Sequence, residues 1–228
     1  MSDLPDPTFV DAKIAIYDSV LSADRFEEVW SHVQRDQYKV PTRNDNWIKV
    51  WRLGDGHSVS SKDYRLLNRP LGNPLDFVLE ALLEIAQRHP DLVGTLGIDW
   101  SDITLRSYLY PRGSKLSWHD DTSGYSGAFS FYAHPKWGST WGGELMVAET
   151  SSVEHIKASA QTGPYLDRGW EDKYVLAEGR GMFFSAKPNR LAIFSPGTYH
   201  AINRVDADAG DHARCSVSGF FVHSDSAA

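Results

Sequence analysis

Two short motifs and one distant histidine could together do chemistry. His119 and Asp121 stand two residues apart in Leu116-Ser117-Trp118-His119-Asp120-Asp121. On a strand, that spacing sends both side chains out of one face. Far downstream, Phe194-Ser195-Pro196-Gly197-Thr198-Tyr199-His200 carries an apolar strand and a Pro-Gly turn into a second histidine. Two imidazoles and one carboxylate on one face of an octahedron leave three positions open, a pattern that suits non-heme Fe(II) with a cosubstrate and dioxygen. Asp120 points the other way in this register and reads as surface or supporting. His-x-Asp by itself is a common chance pair, and the same three ligands could hold zinc for hydrolysis.

Arg214-Cys215-Ser216 supplies a second pair on one strand face. An arginine offers a planar fork to a carboxylate, and a serine hydroxyl adds a third donor. An internal salt bridge is the plain alternative. His134 and His212 sit in loop-like contexts and read as solvated or capping residues.

These residues need a scaffold that brings separate segments together. Phe26, Val29, Trp30 and Val33 fall at helical spacing over 24–34. A longer helix is predicted over 74–89. Asn73 can cap it, Leu75, Val78, Leu79, Leu82 and Ile85 form its stripe, and Pro90 follows its last turn. Between them Trp47 to Leu53 alternates as a strand. After residue 100 the pattern changes. Ile103 to Tyr110 alternates, and strand-like runs recur at 127–133, 143–148, 174–177, 181–186, 190–195 and 214–222, punctuated by Gly, Pro, Asn and Asp. Many short strands without long helices between them predict a sandwich or barrel. Cys215, Val217, Gly219 and Phe221 read as core-facing, which turns Arg214 into the barrel. Residues 149–173 read as a loop-rich insertion around Gly163-Pro164.

The chain of 228 residues has room for a sizeable core and carries ordinary hydrophobic and charged content. Its formal net charge of −7 argues against a broad nucleic-acid surface. A lone cysteine, Cys215, excludes an intrachain disulfide and fits a reducing compartment. No apolar run is long enough to span a membrane. Met1 to Pro7 lacks the order of a signal peptide, so a cytoplasmic protein is the expectation. Nothing speaks to oligomeric state. The eight tryptophans serve a core first and a pocket wall second.

The order of the motifs is far more specific than any one of them. It resembles the 2-oxoglutarate and Fe(II)-dependent dioxygenases, in particular the prolyl-hydroxylase-like group. Tyr108-Leu109-Tyr110-Pro111-Arg112-Gly113 looks like the strand and turn before that family's metal motif, and His119-Asp120-Asp121 looks like its His-x-Asp. Residues 128–134 stand where the family has a strand ending in Tyr-Leu-Asn, here Tyr132-Ala133-His134. Trp137 and Gly142-Gly143-Glu144-Leu145 resemble its Trp and Gly-Gly-Glu-Leu. Pro188 to Phe194 precedes His200 as the family's strand does, and 214–221 resembles its closing strand. The likeness spans 104–222; Ala133-His134 and the long 149–173 insertion depart from it.

The resemblance implies one domain over 1–228. A double-stranded β-helix (a jelly-roll or cupin-like core) would fill 101–222, with helices and a strand from 1–100 packed on it: mainly β with flanking helices. It implies iron on His119, Asp121 and His200. Arg214 would pair with the distal carboxylate of 2-oxoglutarate, with Ser216 and Tyr132 assisting. Fe(II), 2-oxoglutarate and dioxygen are then the cofactors, with ascorbate a candidate reductant and succinate and carbon dioxide the coproducts. Asp121 favours hydroxylation over halogenation; desaturation, epoxidation and ring formation stay open. Candidate substrate contacts are Arg106, Tyr108, Trp118, Trp137 and Trp141. Arg106 serves equally well as a substrate-carboxylate anchor or a structural ion pair. The expected substrate is a small molecule, an amino acid or natural-product intermediate, with a peptidyl residue next. A zinc hydrolase and a non-catalytic β-barrel binding module are the competitors from other classes.

Overall fold

The computed structural model describes residues 4–40, 55–66, 70–121, 124–149 and 180–223. The predicted strands at 47–53 and 174–177, and the 149–173 insertion beyond its first residue, lie outside them.

Two facing sheets form the core. The larger has eight strands in the order β1 (Phe9–Val10), β2 (Ile14–Asp18), β10 (Arg190–Phe194), β7 (Tyr125–Tyr132), β12 (Arg214–His223), β5 (Trp100–Tyr110) and β3 (Val59–Ser60), with β4 (Tyr64–Leu66) also on β5. The smaller runs β6 (Leu116–His119), β11 (His200–Ile202), β8 (Leu145–Ala148) and β9 (Gly181–Phe184). Every pairing is antiparallel.

Strand alternation divides the labour of the large sheet. Odd-numbered β12 and β7 residues (Cys215, Val217, Phe221, Phe129, Phe131) join Leu105 of β5 and Leu191 and Ile193 of β10 against the helices. The covering helices are α1 (Ala23–Val33) and α2 (Leu75–Arg88), followed by one turn, α3 (Pro90–Val93). The predicted stripe of α2 is the buried one, and each such side chain contributes about 1.5–3 kcal/mol of burial. Its start is tied reciprocally. Asn73 accepts from the Leu75 amide, while Asp76 accepts from the amides of Leu71 and Gly72. α2 ends at Arg88, ahead of Pro90 as expected, and Pro90 then opens the separate turn α3, where a first-turn proline forfeits no helical bond.

Even-numbered residues face the small sheet. Ala128, Ala192 and Phe194 pack with Ile14 and Ile16 against Leu145 and Val147. Tyr108 and Tyr110 pack against Leu116, Ile202 and Val205. The N-terminal β2, not anticipated from sequence, extends the large sheet by pairing with β10 along Ile14–Asp18. Asp18 anchors that edge to Arg190 at 2.6 Å and Lys187 at 2.9 Å.

Candidate metal and cosubstrate site

His119 and His200 lie directly opposite each other where β6 and β11 pair, with ring centroids 4.3 Å apart. The register shifts between His200 and Ile202, a bulge that re-aims the end of β6. Asp121 lies past the end of β6, so the two-residue strand rule does not position it. Its carboxylate nevertheless comes to 3.7 Å from His119 Nε2 and 3.4 Å from His200 Nε2. One ligand atom from each residue falls within 4.8 Å of the others. Two donors ~2.1 Å from one ion at right angles are ~3 Å apart, so the three fit a common metal with little movement.

The tautomers agree. His119 Nδ1 donates to the Ser117 carbonyl at 2.7 Å, and His200 Nδ1 donates to the Thr198 carbonyl at 2.8 Å. Each Nε2 then keeps a lone pair facing Asp121. Burial, reinforced by the neighbouring His119, pushes His200 down to about 4, so its imidazole is neutral and able to ligate at neutral pH.

Sequence reasoning missed what holds β6 in place. Asp55 is 1% exposed and accepts from Ser117 Oγ at 2.6 Å, with the Ser117 amide at 3.3 Å and Lys115 Nζ at 3.8 Å. Ser117 in turn offers its carbonyl to His119. No signal marked Asp55, because it is a single acid far from the motif in sequence.

Arg214 lies on the inner face, 1% exposed. Its Nε donates to the Gly143 carbonyl at 2.8 Å and one terminal nitrogen reaches Ser216 Oγ at 3.3 Å. The guanidinium lies over Tyr132 at 4.8 Å and Tyr110 at 5.1 Å. Among the described residues no carboxylate pairs with it, so the internal salt bridge is absent there. Gly143 is required: its φ is +73°, and a Cβ would come 2.8 Å from Arg214 Cδ. The Tyr132 hydroxyl is buried with no hydrogen-bond partner among the described residues. A buried cation and a buried hydroxyl left unanswered beside each other cost energy unless an anionic ligand fills the gap.

The family model of the 2OG-Fe(II) oxygenase superfamily matches residues 104–222, half the chain. The chain belongs to that superfamily. As a 2OG-Fe(II) oxygenase it uses Fe(II), 2-oxoglutarate and dioxygen, and the zinc-hydrolase and binding-module alternatives lose their ground. Three solved structures share its double-stranded β-helix. A Pseudomonas putida prolyl-4-hydroxylase is 15% identical, with 92% of each chain covered and a TM-score of 0.57. A Trichoplax adhaerens prolyl hydroxylase, solved with a hypoxia inducible factor peptide fragment, is 14% identical over 92% of this chain and 83% of that one, TM-score 0.60. The alpha-ketoglutarate-dependent epimerase SnoN of nogalamycin biosynthesis is 14% identical over 92% and 78%, TM-score 0.57. No curated protein matches the chain.

The remaining predicted residues fall into distinct places in this oxygenase. Tyr108 is buried beside Tyr110. Trp118 and Tyr199, the residues before the two histidines, stack face to face at 5.7 Å, because alternation sends them off the strand face that carries the histidines. Trp137 donates from Nε1 to the Gly142 carbonyl and meets Trp141 edge-on, and Trp141 stacks on His212. These two tryptophans wall the Arg214 end of the barrel. Arg106 pairs with Asp63 at 3.0 Å. His134 corrects the expectation of solvation. It is 2% exposed and caps backbone, with Nε2 donating to the Ala186 carbonyl at 2.7 Å and Nδ1 accepting from the Cys215 amide at 3.1 Å. A cavity of about 430 Å³ between the end of α2 and Trp100 lies in the helical layer, on the side of the large sheet away from the triad. No described helix is long and apolar enough to cross a membrane.

Proposed function

We propose that this oxygenase hydroxylates an unactivated C–H bond of a small molecule. In this reading His119, Asp121 and His200 hold the iron, and Arg214, Ser216 and Tyr132 hold 2-oxoglutarate. The carrying observation is the Arg214–Tyr132 pair: a buried guanidinium and a buried hydroxyl, both on the barrel's inner face and lacking an acid among the described residues.

Each residue has a defined task. The two imidazoles present Nε2 because backbone carbonyls hold their Nδ1 protons. Asp121 supplies the anionic donor. Arg214 and Ser216 offer convergent donors to the distal carboxylate, and Tyr132 adds its hydroxyl proton. Tyr110, Trp137 and Val205 keep water from the guanidinium. Bound iron with 2-oxoglutarate supplies the oxidising power, placing one oxygen atom of dioxygen on the substrate and the other in succinate as carbon dioxide leaves. No side chain needs to act as a general base.

A peptidyl substrate is the second reading, favoured by the two prolyl hydroxylases among the structural neighbours. Anaerobic addition of Fe(II) and 2-oxoglutarate is expected to give a visible charge-transfer band. His200→Ala is expected to lose both that band and succinate production; near-normal turnover would remove His200 from the ligand set. A screen of small molecules and proline-containing peptides, scored by succinate release, separates the two substrate readings.

A further inference from the structure

The inner face carries a second polar row beside that of Ser216 and Tyr132. Ser218 stands opposite Arg106 on β5 and Ser130 on β7. All three share the parity of Arg214 and Ser216, so they face the small sheet. Ser130 Oγ and Ser218 Oγ lie 2.9 Å apart, and Ser218 donates to Ser216 Oγ at 3.2 Å. The row sits one side-chain step, ~7 Å, along the strands from Ser216 and Tyr132.

That step leads toward the metal. The His200 ring is 4.8 Å from Phe194, which pairs with Ala128, which pairs with Phe220. His200 therefore faces the row of Phe220, which adjoins that of Ser218 and lies beyond the Arg214 end. On β5, Tyr108 pairs with Ser216 and Arg106 with Ser218, so the two are adjacent on the inner face. The rings of Tyr125 and Phe220 stack at 4.1 Å and 13°, forming an apolar wall beside the row.

Arg106 is three-quarters buried, and one of its partners, Asp63, is half exposed. A carboxylate that water screens holds a guanidinium weakly. An acid delivered inside the barrel would meet the same planar fork with less screening.

We propose that this row anchors the substrate: Arg106 takes the carboxylate of a small organic acid, Ser130 and Ser218 hydrogen-bond a polar group beside it, and Tyr125 with Phe220 packs its carbon frame. The assignment rests on the oxygenase reading above and names its substrate class. Asp63 competes with the substrate for the guanidinium.

The test uses the full chain loaded anaerobically with Fe(II) and 2-oxoglutarate. The probes are free amino acids and 3-phenylpropionate, each against its primary amide, plus a glutamate-containing peptide. The readouts are the shift of the charge-transfer band and, in air, acid-stimulated succinate release. Acids are expected to shift the band at concentrations at least tenfold below their amides. Arg106→Gln is expected to weaken the response to acids about 10- to 100-fold, the loss of a charge-assisted contact. Asp63→Asn is expected to strengthen it, an effect that a purely structural ion pair would not give. Amides matching acids, an Arg106→Gln response equal to the parent's, or silence across the acids while the band forms would each overturn the anchor. A response to the peptide alone would overturn the small-acid assignment. The band before any acid is added reports separately on the iron and keto-acid site; its failure to form in the parent would sink the oxygenase reading, and the anchor with it.

Discussion

Arg214→Leu removes the one fully buried guanidinium among the described residues, and its consequence can be worked from the structure. Under the proposed assignment the parent offers three donors to the distal carboxylate of 2-oxoglutarate: the guanidinium, Ser216 and Tyr132. Truncating one partner of a buried, hydrogen-bonded charge pair costs about 2–5 kcal/mol. Two donors survive, which puts the loss at the lower end, about 2–3 kcal/mol, or roughly 30- to 150-fold in affinity. Thermal unfolding with Mn(II) in place of iron reads this without turnover. At ~100 times its Kd, 2-oxoglutarate stabilises the parent by about 2.7 kcal/mol. For a chain of this size that is a rise of about 5–10 °C in Tm. In Arg214→Leu the same concentration is near the weakened Kd and gives only about 1–3 °C. The shift from Mn(II) alone should persist, because no ligand of the triad touches Arg214. A full 2-oxoglutarate shift in the variant would refute the assignment and leave the buried cation unexplained.

Two further outcomes follow from other parts of the site. Asp55→Asn keeps the shape but weakens the grip on Ser117, so metal affinity is expected to fall about tenfold; competition with a fluorescent chelator measures it, and unchanged affinity would reduce Asp55 to a fold-stabilising role. His134 concerns pH. Burial, with the Arg214 charge adding to it, pushes its pKa down to about 4. The unfolded chain takes up a proton near 6.5 and the folded one does not, so stability is full above 6.5 and falls as pH drops toward 4. The loss is about 3 kcal/mol. His134→Gln is expected to flatten that part of the stability profile in urea titrations, with the slope from His200 remaining; an unaltered profile would show that His134 is protonated in the fold.

Periodicity alone located α1 and α2, because their apolar stripes recur at helical spacing and their ends carry capping groups. It also identified β5 and β12 as alternating strands. Motif order pointed to His119, Asp121, His200 and Arg214, since these residue types are costly to bury and suit few chemistries in common. It could not show that β6 ends at His119, two residues before Asp121, because where a strand stops pairing depends on which partner strand arrives. His134 looked like a loop histidine, since its acceptor at Ala186 and its donor at Cys215 belong to distant segments.

The sequence by itself determined which side chains are available and which face of each strand they share, because those follow from local geometry and composition. Only the tertiary structure decided which faces meet. Cross-strand register set His119 opposite His200 and placed Ser218 between Arg106 and Ser130. Packing of the helices on the odd-numbered face left Arg214 pointing inward, away from water. Non-local contacts of this kind depend on the whole chain closing at once, and no short window of residues encodes them.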